Sequence, residues 1–167
     1  IAHGAFEKCE MLAGISLPAT LQRIDKDAFH GCINMNSIEM GGGIVEIAAQ
    51  AFYGCSKIEE VILPSSIRSV GGWAFASCEN LVSVEMRGCI KELSSGVYDD
   101  CKSLRNIVLP PGIEKVGDAA FRDCCCLEAL VFPCSVKSFG WRALSGCRAL
   151  RSISIPDGVT YISSEMF

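Results

Sequence analysis

Residues 51–73 read AFYGCSKIEEVILPSSIRSVGGW, and the pattern begins again at Ala74-Phe75, with Cys78, Leu81, Val84 and Met86 in the matching places. Stepping by 23 in both directions from Phe52 reaches Phe6, Phe29, Phe75, Tyr98, Phe121, Leu144 and Phe167, with no insertion or deletion. Three residues after each of the first seven of these positions stands a cysteine: Cys9, Cys32, Cys55, Cys78, Cys101, Cys124 and Cys147. Other columns keep the register, as in Ile15, Ile38, Val61, Val84, Ile107, Leu130 and Ile153, or Leu17, Met40, Leu63, Met86, Leu109, Phe132 and Ile155. The unit is A-F-x-x-C-x-x-L-x-x-I-x-L-P-x-x-I-x-x-I-x-x-x. A fixed period of this size marks a stack of structural repeats.

The spacing sets the shape of one coil. The I-x-L step alternates, so its two apolar side chains face inward and the residue between them faces out, as in a short strand. Pro18, Pro64, Pro110, Pro133 and Pro156 follow that strand and remove a backbone donor, which ends the ladder. The A-F-x-x-C segment is the return limb, where a small alanine permits close approach and the aromatic fills the interior. One coil cannot cover its own apolar face, so stability comes from stacking. The expected organisation is a single solenoid domain over 1–167, with coils at 6–28, 29–51, 52–74, 75–97, 98–120, 121–143 and 144–166.

Composition agrees. Of 167 residues 50% are hydrophobic and 20% charged, which excludes a disordered chain. A formal net charge of −4 argues against a nucleic-acid binder, and no apolar stretch has membrane-spanning length. Ile1 and Phe167 both fall inside a repeat, and no polar caps close the ends, so the expectation is a segment of a longer array.

The unit resembles the BspA-like leucine-rich repeats, whose hallmark is a 23-residue period with L-x-x-I-x-L-P and A-F-x-x-C. The resemblance covers essentially the whole chain; Gly41 and Arg87 replace the proline, and Leu144 replaces the aromatic. It implies an α/β solenoid: a right-handed, curved array with a parallel sheet on its concave side and turns or short helices on its convex side. It also implies protein-protein recognition or adhesion, often at microbial surfaces. Unpaired cysteines would suit a cytoplasmic protein instead, so the compartment stays open.

The cysteine column reads as a reduced structural ladder. In-register side chains on neighbouring coils keep their Cβ atoms about 5 Å apart, beyond the ~3.8 Å of a disulfide, and seven thiols cannot all pair. No C-x-x-C occurs, so no zinc signature is present, and no metal or cofactor is expected. Stacked Asp99, Asp100 and Asp123 suggest at most a weak calcium site that the other repeats do not encode. Gly41-Gly42-Gly43 lacks the Lys-Ser/Thr of a phosphate loop and reads as a loosened turn. His30 falls in a freely varying column and reads as solvated, and Trp73 and Trp141 read as convex-side covers over the limb beneath. G-x-S-x-G and H-E-x-x-H are absent, which leaves no catalytic constellation, and an enzyme is not expected.

Function is therefore sought on the sheet face. Its outward positions hold Glu39, Glu59, Glu60, Ile62, Glu85 and Arg87 in the earlier coils, then Arg105, Val108, Val131 and Arg151. The face reads acidic first and basic-to-apolar later, a pattern that orients a protein partner or is simply a solvated sheet. The rival function is an architectural spacer with no ligand of its own. Cys125 lies between Lys102 and Arg148 in its column, and reads as a reactive thiolate or an ordinary surface cysteine.

Overall fold

The computed structural model describes residues 1–163 and 165–167, and all regular structure among them is β. In chain order the strands are β1 (Gly14–Ser16), β2 (Arg23–Ile24), β3 (Ser37–Glu39), β4 (Glu46–Ile47), β5 (Glu60–Leu63), β6 (Ser69–Val70) and β7 (Ser83–Met86). They continue as β8 (Glu92–Leu93), β9 (Asn106–Val108), β10 (Lys115–Val116), β11 (Ala129–Val131), β12 (Ser138–Phe139) and β13 (Ser152–Ser154). Every pairing is parallel and one repeat apart, as in Val61 against Val84 and Ile47 against Val70. The result is a parallel β-solenoid of about six turns.

The odd-numbered strands are the I-x-L segments. Val61, Leu63, Val84, Met86, Leu130 and Phe132 are buried, while Glu60, Ile62 and Val131 face out. The even-numbered two-residue strands contribute Ile24, Ile47, Val70, Leu93, Val116 and Phe139 to the same core. Sequence spacing had marked those residues as apolar columns without marking a strand. The I-x-L ladder is not continuous: it divides into β1-β3, β5-β7-β9 and β11-β13. The short-strand ladder divides once, between β6 and β8, where the Ser94 hydroxyl donates to the Val70 carbonyl at 2.6 Å.

The return limb is continuous. The amides of Phe6, Phe29, Phe52, Phe75, Tyr98, Phe121 and Leu144 donate to carbonyls of the next coil at 2.8–3.0 Å. Beneath them the rings of Phe6, Phe29, Phe52, Phe75, Tyr98 and Phe121 stack with centroids 5.0–6.0 Å apart. Leu144 fills the next place and is buried, so the departure from an aromatic ends the ring stack without ending the core.

The cysteines complete this limb. The Cys32, Cys55, Cys78, Cys101, Cys124 and Cys147 thiols donate to the carbonyl of the aromatic one coil earlier at 3.1–3.3 Å. The Phe29 carbonyl thus accepts the Cys32 amide and the Cys55 thiol, using both lone pairs. A buried carbonyl needs such a donor, and a thiol supplies it in little volume. Burial pushes the Cys55 and Cys147 thiols up to about 12, so they stay protonated.

The expected α/β class and the short helices opposite the sheet are not found: among the described residues there is no helix. The reason lies in the backbone. Left-handed residues recur four apart around the aromatic, as in Asp27 and Gly31, Gln50 and Gly54, or Trp73 and Ser77. A helical turn cannot pass a left-handed residue, and the alternate amides are already committed to the next coil. The glycine run is also more than a loosened turn. A Cβ at Gly41 or Gly43 would strike the backbone of Pro18 or Ala19 in the preceding coil, so the close approach itself requires glycine.

Candidate interaction surface

The outward residues of the I-x-L strands form a face in strict register. Ile62 lies beside Glu85 and Glu85 beside Val108; Glu39 pairs with Ser16, and Val131 with Ser154. Two seams interrupt this face, and each opens a groove.

The first seam separates β3 from β5. Its groove, about 460 Å³, is lined by Ile38, Glu39, Met40, Glu60, Ile62 and Arg87 among others. Ile38 and Met40, inward by spacing, are only part-buried because β5 does not zip against them. Arg87 binds Glu85 through two hydrogen bonds of 2.8 and 3.1 Å, and its guanidinium holds the Glu85 carboxyl below the usual carboxylate range. Glu39, Glu59 and Glu60 have no ion-pair partner among the described residues.

The second seam separates β9 from β11. Its groove, also about 460 Å³, is lined by Arg105, Ile107, Val108, Glu128 and Val131 among others, and continues past Leu109, Pro111 and Pro133. Val108 is 61% exposed and Val131 is 77% exposed. Arg151 approaches Glu128 at 3.9 Å, which leaves Arg105 as the unpaired cation among the described lining residues. The charge gradient read from sequence is therefore narrower in the fold: Glu85 and Arg151 are locally compensated, and the unpaired charges sit at the two seams.

The structure gathers Glu39, Glu60, Ile62 and Arg87 at one groove and Arg105, Val108 and Val131 at the other. Glu59 and Arg151 are exposed nearby and line neither. The seams themselves had no signal in a sequence without insertions, although Met40-Gly41, which lacks the proline, adjoins the first. Nothing in the structure explains the second.

Cys125 is half-buried. Its column neighbour Lys102 turns to Glu79 at 2.7 Å and Asp100 at 3.5 Å, which spends that cation on carboxylates. Asp99 is held by Arg122 instead of facing a metal, at 2.8 and 2.6 Å, and burial pushes its carboxyl up while Arg122 draws it back. His30 is not fully solvated, since its ring packs on Tyr53 at 4.9 Å and its Nδ1 lies 3.4 Å from Asp27.

Comparison with known proteins follows the geometry. A model of the BspA type leucine rich repeat region matches in six copies, over residues 1–125 and 80–167. A leucine-rich repeat protein from Bacteroides ovatus ATCC 8483 superposes with a TM-score of 0.84 at 28% identity, covering 96% of this chain and 47% of that one. The T. pallidum leucine-rich repeat protein gives 0.82 at 32% identity, over 90% of this chain and 70% of that one. A leucine-rich repeat protein from Eubacterium ventriosum ATCC 27560 shares the fold, with a TM-score of 0.82 at 24% identity over 89% of this chain. This chain spans 47% and 40% of the Bacteroides and Eubacterium structures, less than half of each. No curated protein sequence matches it. Period, thiol ladder, parallel coils and family match agree, and the chain belongs to the BspA-type leucine-rich repeat family.

Proposed function

We propose that the chain is an interaction scaffold that holds a protein partner on its sheet face, across the two seam grooves. Repeats of this family serve generally as protein-interaction or surface scaffolds. The observation that carries the reading here is the pair Val108 and Val131, 61% and 77% exposed on strands β9 and β11 at the edges of one groove. Exposed valines beside a groove supply desolvation energy, and unpaired Glu39 and Glu60 at the other seam steer approach, with Glu59 exposed nearby. A partner spanning both grooves would present an apolar patch to the valines and a cationic one to the glutamates.

A photo-crosslinking residue at Val108 tests this in the native cell. It should capture one discrete protein, lost on Val131→Asp, while the same group at Lys26, on the opposite limb, captures none. The spacer alternative requires equal background at both positions, and that outcome would reject the scaffold reading.

A further inference from the structure

The opposite limb carries a second concave feature. Two columns flank the core aromatic there: Asp27, Gln50, Trp73 and Gly96 lie two residues before it, and His30, Tyr53, Ala76, Asp99 and Arg122 lie one after. The small Ala76 leaves a step between Tyr53 and Asp99. Around it a trough of about 710 Å³ is lined by His30, Gln50, Tyr53, Trp73, Asp99 and Arg122.

Three observations show that this trough is equipped for a ligand. Trp73 is 43% exposed although its backbone is left-handed (φ 53°), where a bulky residue is unusual and where Asp27 and Gly96 serve the same turn. The turn does not call for tryptophan. Its indole rests against Gly96, where an added Cβ would collide with the pyrrole ring. Next, Asp99 is a carboxylate with only 8% side-chain exposure, gripped by Arg122 through two hydrogen bonds. Burying this carboxylate against a half-exposed arginine is not cheap, and the neighbouring coils stack without such a pair. Finally, the Gln50 amide, the Tyr53 hydroxyl and the Trp73 Nε1–H spend no hydrogen bond on the described residues and line or adjoin the open trough, accessible to solvent or a ligand.

The charge balance selects the ligand class. An anion in the trough would meet Asp99 and a cation would meet Arg122, so neither is favoured. The pair still offers free carboxylate lone pairs beside free guanidinium N–H groups, an alternation that fits adjacent hydroxyls, each a donor and an acceptor. Trp73 offers a flat apolar surface alongside. We propose that the trough is a binding site for a neutral pyranose sugar, its C–H face on Trp73 and its vicinal hydroxyls on Asp99 and Arg122. This site lies on the limb opposite the sheet face and does not depend on the partner proposed there.

Saturation-transfer NMR and calorimetry on the 167-residue chain test it with four probes: the methyl pyranosides of glucose, galactose and mannose, and N-acetylglucosamine. At least one should bind with a Kd of about 1 mM or tighter. Trp73→Ala and Asp99→Asn should each weaken it about tenfold or more, and Trp141→Ala should not. If Asp99→Asn fails to fold, surface Gln50→Ala serves in its place, with an expected loss of about threefold to tenfold. Absence of binding by all four probes, affinity unchanged in Trp73→Ala, or binding of tetramethylammonium in their place would overturn the assignment.

Discussion

The return limb and the sheet face are built from the same 23-residue unit, yet they hold together differently. On the return limb main-chain hydrogen bonds tie each coil to the next without interruption from Phe6 to Leu144, with stacked rings from Phe6 to Phe121 and thiol-to-carbonyl bonds alongside. On the sheet face the ladder breaks twice, and Ile38, Met40, Ile107 and Leu109 are left part-buried at the breaks. One limb is a spine; the other can splay. A solenoid with a fixed spine keeps its register while its opposite face opens grooves, and seven of the candidate residues gather at those grooves: Glu39, Glu60, Ile62 and Arg87 at one, Arg105, Val108 and Val131 at the other.

The sharpest way to break this contrast is to truncate one large apolar side chain on each side. Phe75→Ala should cost about 3–5 kcal/mol by leaving a hole in a fully buried stack, whereas Ile107→Ala at the second seam should cost less than about 2. Denaturant melts of the two variants compare them directly, and equal losses would deny the spine its special role.

Alkaline pH attacks the same limb. Cys55 and Cys147 are raised from 9.0 to about 12, and burial also raises Cys78, Cys101 and Cys124 well above 9.0. Above the unfolded value near 9 the unfolded chain loses these protons while the folded chain keeps them. Stability is therefore flat below that pH and falls as pH rises from there toward the folded values. Each thiol steepens the fall by up to about 1.4 kcal/mol per pH unit. Thermal melts between neutral pH and pH 11 should show the drop, and Cys55→Ala should make it shallower.

Two single substitutions sharpen the picture on a smaller scale. Tyr98 stacks in the ring column with its hydroxyl buried and unpartnered. Tyr98→Phe should stabilise by about 1 kcal/mol, since removing an orphaned polar group recovers its desolvation cost. Cys101→Ala should destabilise by about 1–3 kcal/mol through a lost donor and a small void, but Cys9→Ala should be nearly neutral, because Cys9 is exposed. On the face, Glu39, Glu60 and Glu85 changed together to Gln should move the melting temperature by no more than about 5 °C, since each exposed site is worth at most about 0.5 kcal/mol. The smallest effect concerns Cys125. We propose that it is the reactive thiol among the accessible cysteines and labels faster than Cys89 or Cys134 at neutral pH; equal rates would return it to an ordinary surface thiol.

Much of this was legible in the residues. The period gave the coil, because a column of Phe or Tyr and a column of Cys cannot hold register over the chain by accident. The I-x-L alternation located the odd-numbered strands, and the odd count of in-register cysteines argued against disulfides. What the column alone could not tell was the donor role of each thiol, which depends on the carbonyl one coil earlier. The helices implied by resemblance failed because left-handed residues at Asp27, Gln50 or Arg142 carry no sequence mark: none is glycine. The seams were invisible because no insertion accompanies them. The trough was missed for a related reason. His30, Trp73 and Asp99 were each read singly, and only coil stacking brings residues 26 to 69 positions apart to one place.

Amide hydrogen exchange resolved by segment tests the contrast between spine and face most directly. The paired strand β7, hydrogen-bonded to both β5 and β9, is the internal reference on the sheet face. Segments 51–55, 74–78, 97–101 and 120–124 of the spine should exchange slowest, residues 83–86 next, and the seam segments 37–40 and 106–109 fastest of the strands. Seam segments protected as well as 83–86 would mean that the face is closed and continuous, and the division of the solenoid into a fixed spine and an opening face would be wrong.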